Sequence, residues 1–166
     1  TFSLAMQIAQ EMGILNQGDL VVQTAGTLTG ISGSTDLIKV GLVRKIVSRG
    51  ISIGEIGVTG KARKINTNQD LSLICPGEIL FVPKELLGNV PLSKNIAGIV
   101  TNQNVNDVYS LYNKKNEKVS TICSVENIND QKIINGDLVT LQLNEGVIYM
   151  GQIENDEEAI DKYKYV

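Results

Sequence analysis

The chain has 166 residues, 42% of them hydrophobic and 20% charged, with 16 Gly and 3 Pro. That is room for one ordinary domain or two small ones with a true core, and it excludes disordered, collagen-like and disulfide-rich classes. Fifteen Lys and Arg against eighteen Asp and Glu leave a net charge of -3, and there is no histidine. No broad positive field is present to gather nucleic acid or anionic lipid, so neither nucleic acid nor membrane is expected as a partner; imidazole bases, metal ligands and phosphoryl carriers are excluded as well.

In chain order, residues 2–12 set Phe2, Ala5, Met6, Ile8, Ala9 and Met12 at helical spacing, and Gly13 is placed to end the helix. Gln17-Gly18-Asp19 then turns the chain into the compact apolar strand Leu20-Val21-Val22. A loop rich in Gly and hydroxyl residues follows from Thr24 to Thr35, and residues 37–47 return to β-branched strand character.

From about Arg49 the texture changes to short strands between Gly and Asn turns, at residues 51–53, 56–58, 62–65 and 77–83. Residues 85–96 read as a short helix interrupted by Pro91, 96–100 as a buried strand, and 105–112 as a helix carrying Val105, Val108, Tyr109, Leu111 and Tyr112 on helical spacing. A strand at 119–125 and a hairpin of 138–143 with 146–150 around Asn144-Glu145-Gly146 complete an alternating α/β unit. The tail, 154–166, is acidic and then rich in Lys and Tyr, the pattern of a frayed helix.

Cys75 and Cys123 stand alone in apolar runs without CxxC spacing, which predicts two buried small hydrophobes in a reducing, cytoplasmic setting. No run of eighteen apolar residues occurs, and Thr1 opens neither with an initiator methionine nor with the order of a signal peptide, so the chain is expected to be a piece of something longer.

Three stretches approach known motifs and fall short. Residues 54–61 resemble a phosphate-cradling loop, but Glu55 replaces an early glycine and Ala62 replaces the hydroxyl after Lys61; strand, turn, strand is expected. Asn102, Asn104, Asn106 and Asp107 imitate a calcium loop without its Gly and with Asn113 in place of the bidentate Glu, which predicts a loop and a helix N-cap. The carboxylates Glu154, Asp156, Glu157 and Glu158 sit in a hydrophilic tail with nothing to tune them as acid or base.

The loop from Thr24 to Asp36 is different. Its glycines allow successive backbone N–H groups to converge, and Ser32, Ser34 and Thr35 add hydroxyl donors without bulk, the composition of a phosphate nest. On these residues alone a nest and a plain turn are both open.

The runs Gly18-Asp19-Leu20-Val21-Val22-Gln23-Thr24-Ala25-Gly26 and Gly30-Ile31-Ser32-Gly33-Ser34-Thr35-Asp36-Leu37-Ile38-Lys39-Val40 closely resemble, in order, spacing and residue type, the end of the C-terminal domain of bacterial pyruvate kinase. In that family the loop helps bind the phosphate of a sugar-phosphate allosteric effector. The resemblance gives that role here to Gly30, Ser32, Gly33, Ser34 and Thr35, with Asp36 where the family carries a neutral residue.

Further on, Gly57-Val58-Thr59-Gly60-Lys61-Ala62, Gly77-Glu78-Ile79-Leu80-Phe81-Val82-Pro83, Val125-Glu126-Asn127 and Gly146-Val147-Ile148-Tyr149-Met150-Gly151 look like successive landmarks of the extra C-terminal domain of Gram-positive pyruvate kinases, which is similar to the swivelling phosphohistidine domain of phosphoenolpyruvate-utilising enzymes. Counted back from Ile122, the family's phosphohistidine falls at Tyr109 and its paired glycines at Asn104 and Val105, so the carrier residue is absent.

The resemblance implies an α/β fold in which residues 1–48 end an effector-binding C-domain of βα units, 49–153 form a swivelling β/β/α domain, and 154–166 are a tail. It implies a regulatory end of a glycolytic phosphotransferase, inactive alone, whose partners are a sugar phosphate, the preceding catalytic domains of the same chain and further copies in a homo-oligomer, expected to be a homotetramer. Catalytic residues and the magnesium and potassium sites belong to that preceding part, and none is carried over. Without the resemblance the residues leave open a free-standing module that binds a small molecule or partner through the Gly/Ser loop or the Asn-rich stretch 102–106. An active phosphoryl carrier over 49–151 would need the histidine the chain lacks.

Overall fold

The computed structural model describes residues 2–26, 37–130 and 132–152. The chain divides into two compact units, one running to Lys45 and the other spanning Ile46–Gln152. Among the described residues no helix is long and apolar enough to cross a membrane.

The first unit opens with helix α1 (Phe2–Glu11). Gly13, at a φ of 71°, ends it in the left-handed conformation while its N–H donates to Gln10 O and the Ile14 N–H donates to Ala9 O. Strands β1 (Leu20–Ala25) and β2 (Leu37–Leu42) then pair antiparallel from Leu20↔Leu42 to Ala25↔Leu37. β1 runs three residues beyond the expected strand because Gln23, Thr24 and Ala25 find partners on β2. The β-branched stretch expected over 37–47 is not one strand. It ends at Leu42, and a new strand, β3 (Ile46–Arg49), belongs by its pairing to the second unit.

The second unit is one mixed eight-stranded sheet. After β3 come β4 (Ile51–Ile53), β5 (Val58–Lys64), β6 (Ile79–Val82), helix α2 (Lys84–Leu87), β7 (Gly98–Thr101), helix α3 (Val105–Lys115), β8 (Thr121–Cys123), β9 (Leu138–Gln142) and β10 (Val147–Met150). Neighbours run β3-β10-β9-β5-β6-β7-β8-β4. β5 to β8 are mutually parallel and the remaining pairs antiparallel.

The ladder therefore begins with β3 and ends with β4, which only Gly50 separates in sequence. Such a sheet must fold back on itself to bring both ends to one corner. Gly50 makes the corner because nothing larger fits: a Cβ there would run into the carbonyl oxygen of Cys123 and the Ile122 side chain. Its N–H donates to Gly146 O at 2.9 Å, tying the corner to the β9–β10 turn.

Because side chains alternate along a strand, the central strands feed two cores at once. Leu80, Val82, Ile99 and Cys123 join Val108 and Tyr112 of α3 and Leu87 of α2 on the helical side. Ile79, Phe81, Val100 and Ile122 join Val139, Leu141 and Ile148 of the folded-back strands on the other. The result is three layers: antiparallel strands, parallel strands and helices.

The single strand β5 replaces the two strands expected at 56–58 and 62–65. Its inward residues are Gly60 and Ala62, too small to leave an apolar signature, and a Cβ on Gly60 would meet the carbonyl of Gly77.

Candidate functional site

Two places bear on the sequence-predicted residues. The first is the end of the β1–β2 ladder. Asp19 fixes the entry to it: its carboxylate accepts the N–H of Asn16 at 2.7 Å, its own N–H donates to Asn16 O, and the Val43 N–H donates to Asp19 O at 2.8 Å. The ladder closes on Ala25↔Leu37, so the Gly/Ser/Thr segment joins two strand ends held side by side. Gly30, Ser32, Gly33, Ser34 and Thr35 themselves lie outside the described residues, as does the acidic tail with its carboxylates.

The second place is the carboxyl end of the parallel strands, where α3 begins after β7. Open α/β sheets bind ligands at this end. Asn104 caps the helix by accepting the Asp107 N–H at 2.9 Å, and its amide donates to the Asp107 carboxylate at 2.7 Å. Gln103 braces the same turn: its side chain accepts the Asn104 N–H and its carbonyl accepts the Ser124 N–H, both at 2.9 Å. Asn102 accepts the N–H of Lys84 at 2.8 Å, and Asn106 O accepts from Ser110 Oγ. Loop and N-cap, as the asparagine spacing predicts, account for these groups. The turn positions its backbone with its own side chains, and Asp107 puts a negative charge where an anion would otherwise approach the helix start.

Tyr109 lies on α3, 45% exposed, within reach of solvent.

Sequence reasoning missed a charged contact of the second unit. Arg63 Nε donates to Glu78 Oε2 at 2.6 Å and Arg63 Nη2 to Oε1 at 2.7 Å, a two-pronged clasp across β5 and the start of β6. Glu78 Oε2 also accepts the Cys75 N–H at 2.9 Å. The Arg63 hydrogen bonds outweigh desolvation and hold the Glu78 carboxyl below its ordinary range, so both partners stay charged. A carboxylate directly after Gly77 and before four buried residues was the available signal. The clasp is a fastener of the fold.

Cys123 is buried, as expected, and burial pushes its thiol up to about 11. Cys75 corrects the other half of that expectation. It is exposed, its apolar neighbour Ile74 taking the buried place while the Cys75 N–H serves Glu78. Gly54–Lys61, the loop resembling a phosphate cradle, is a turn followed by β5, and Gly60 is spent on strand packing. Among the described residues no group of three His, Cys, Asp or Glu is placed to hold a metal ion.

No family model matches the chain. Individual proteins do. Pyruvate kinase 2 of Synechocystis sp. is 39% identical over 153 residues, 92% of this chain and 26% of that protein. Pyruvate kinase of Staphylococcus haemolyticus is 30% identical over 148 residues, 89% of this chain and 25% of that protein. That of Lactobacillus delbrueckii subsp. bulgaricus is 26% identical over 155 residues, 93% of this chain and 26% of that protein. The chain thus spans about a quarter of the length of these relatives. Among solved structures, the microcin C7 self-immunity protein MccF superposes with a TM-score of 0.43 at 13% identity, covering 89% of this chain and 56% of that one, too distant to carry fold or function across. Agreement along nine-tenths of the sequence with several pyruvate kinases makes this chain similar to the C-terminal part of such a protein.

Proposed function

We propose that the chain is the regulatory end of a cytoplasmic pyruvate kinase, the glycolytic enzyme that moves a phosphoryl group from phosphoenolpyruvate to ADP, and that it holds part of a sugar-phosphate effector site. One observation carries the reading. A Gly/Ser/Thr segment of nest composition joins the paired ends of β1 and β2, in a chain related to pyruvate kinases over nine-tenths of its length. Backbone N–H groups near Gly30 and Gly33, with the hydroxyls of Ser32, Ser34 and Thr35, are the donors a phosphate monoester requires.

Regulation works by linkage. A sugar phosphate on this loop binds one arrangement of a homotetramer better than another, and that difference in affinity shifts the population at a distant active site supplied by the preceding part of the polypeptide. The magnesium and potassium of the parent enzyme belong to that preceding part. The unit 46–152 is a swivelling-type domain that has kept the layers and lost the carrier: Tyr109 occupies the histidine's place, and the domain serves as a brace between subunits.

The test is a titration of the full-length enzyme with hexose and pentose phosphates. Replacing Ser34→Ala and Thr35→Ala together removes two hydrogen bonds to a charged group, each worth about 1.5–3 kcal/mol. The activator concentration needed rises by at least about a hundredfold, with the unactivated rate unchanged. An activation curve that does not move overturns the assignment of the loop.

A further inference from the structure

Asn135 is the one asparagine in the sequence that is followed by glycine. In such a pair no side chain stands between the glycine nitrogen and the amide carbon of the asparagine, so the backbone can attack its own side chain. Asn135 is exposed, Gly136 has a φ of 94°, and a Cβ on Gly136 would meet nothing within 4 Å among the described residues. Water and space are both at hand.

What holds the two groups back is the end of the β5–β9 ladder. Regular pairing stops at Lys61↔Leu138, and the turn 134–137 carries it further. The Ala62 N–H donates to Asp137 O at 2.7 Å, and the Gly136 N–H donates to Ala62 O at 2.9 Å. The Lys64 N–H donates to Asn135 Oδ1 at 2.7 Å, so the side-chain amide stands in for the next backbone carbonyl of a strand. Asp137 closes the turn, its carboxylate accepting the Ile134 N–H at 3.1 Å. The attacking nitrogen and the amide it would attack are thus each tied to β5.

We propose that Asn135-Gly136 is a spontaneous modification site gated by this ladder end, converting to aspartate and isoaspartate only while both residues are released from β5. On release, the Gly136 nitrogen gives its proton to solvent and bonds to Asn135 Cγ. The Cγ–Nδ2 bond breaks, and the amide nitrogen leaves as ammonia with a proton taken from water, closing a succinimide ring. Water then opens the ring at one of its two carbonyls. Breaking the new Cγ–N bond gives aspartate, whose carboxylate keeps an acceptor for the Lys64 N–H. Breaking the original peptide bond gives isoaspartate, which adds a methylene to the main chain and takes the turn out of register with Ala62. The site therefore records each opening of this sheet edge in a form that does not reverse.

Peptide mapping by mass spectrometry tests the proposal on the full-length protein, aged at neutral pH both folded and in guanidinium chloride, with Asn144, which precedes Glu145, read in the same digest. Conversion at Asn135 should give both products in denaturant. It should run at least about tenfold faster there than in the folded protein, because the folded rate is scaled by the fraction of time the ladder end is open. In denaturant Asn144 should lag Asn135 by at least about tenfold, since the residue after it carries a side chain. Equal rates at Asn135 in the folded and denatured protein overturn the gating. A denatured rate at Asn135 no faster than at Asn144 overturns the site itself.

Discussion

At the scale of single residues, the Arg63–Glu78 clasp makes the most definite electrostatic statement. Glu78 is held below the ordinary carboxylate range first by its hydrogen bonds to Arg63 and then by the Cys75 N–H, against the opposing effect of burial. A depressed folded-state value means the contribution to stability is complete above the ordinary glutamate range and is lost as pH falls through the folded value. Glu78→Gln should therefore cost about 2 kcal/mol in urea unfolding at pH 7, and the gap to the unaltered protein should narrow as the pH falls below the ordinary glutamate range. A gap independent of pH would mean that packing, not charge, holds this corner.

Tyr112 behaves in the opposite sense. Buried on the inner side of α3 and hydrogen-bonded to Thr121 of β8, its phenol is pushed up to about 12 by desolvation. Its share of stability is present below the ordinary tyrosine range and fades as pH rises through that of the folded state. Tyr112→Phe should cost about 1 kcal/mol at pH 7, because Thr121 keeps its bond to Val119 O, and should make alkaline unfolding shallower.

At the scale of elements, the Gly50 corner and the α3 cap are where single substitutions should tell. Gly50→Ala places a methyl group against the Cys123 carbonyl and should destabilise the second unit by about 3 kcal/mol, whereas Gly88→Ala, with open space around it, should be nearly silent in the same thermal scan. Asn104→Ala removes the cap of α3 and should cost about 1 kcal/mol.

Much of this was legible beforehand. Val108 and Tyr112 announced the buried side of α3 by their spacing, and Gly146, at a φ of 67°, closes the hairpin that its Asn-Glu-Gly signal predicts. What could not be read has physical causes. β5 hides because its core positions are Gly60 and Ala62. The break between β2 and β3 hides because apolar residues continue across it, Leu42 and Val43 before and Ile46 and Val47 after, and only the distant partner β10 decides which sheet Ile46–Arg49 joins. Cys75 follows an apolar run yet is exposed, since its backbone rather than its thiol is what the Glu78 carboxylate uses. Of the candidate site, the proposed donors come from composition, while the paired strand ends on either side of them emerged only from the fold.

At the scale of the whole molecule, all eight strands of the larger sheet and both cores fall within residues 46–152. That unit therefore carries its own stability, and the stretch 46–152 produced alone should unfold in one cooperative urea transition. The first unit, with a two-stranded ladder and an exposed apolar face, should not do so by itself.

The proposed effector site is tested most directly by hydrogen–deuterium exchange on the full-length protein. Saturating sugar phosphate that activates the enzyme should slow exchange in the peptide spanning residues 24–40 more than in any peptide of 46–152. Activation with no change in exchange across 24–40 would place the effector elsewhere and contradict the account.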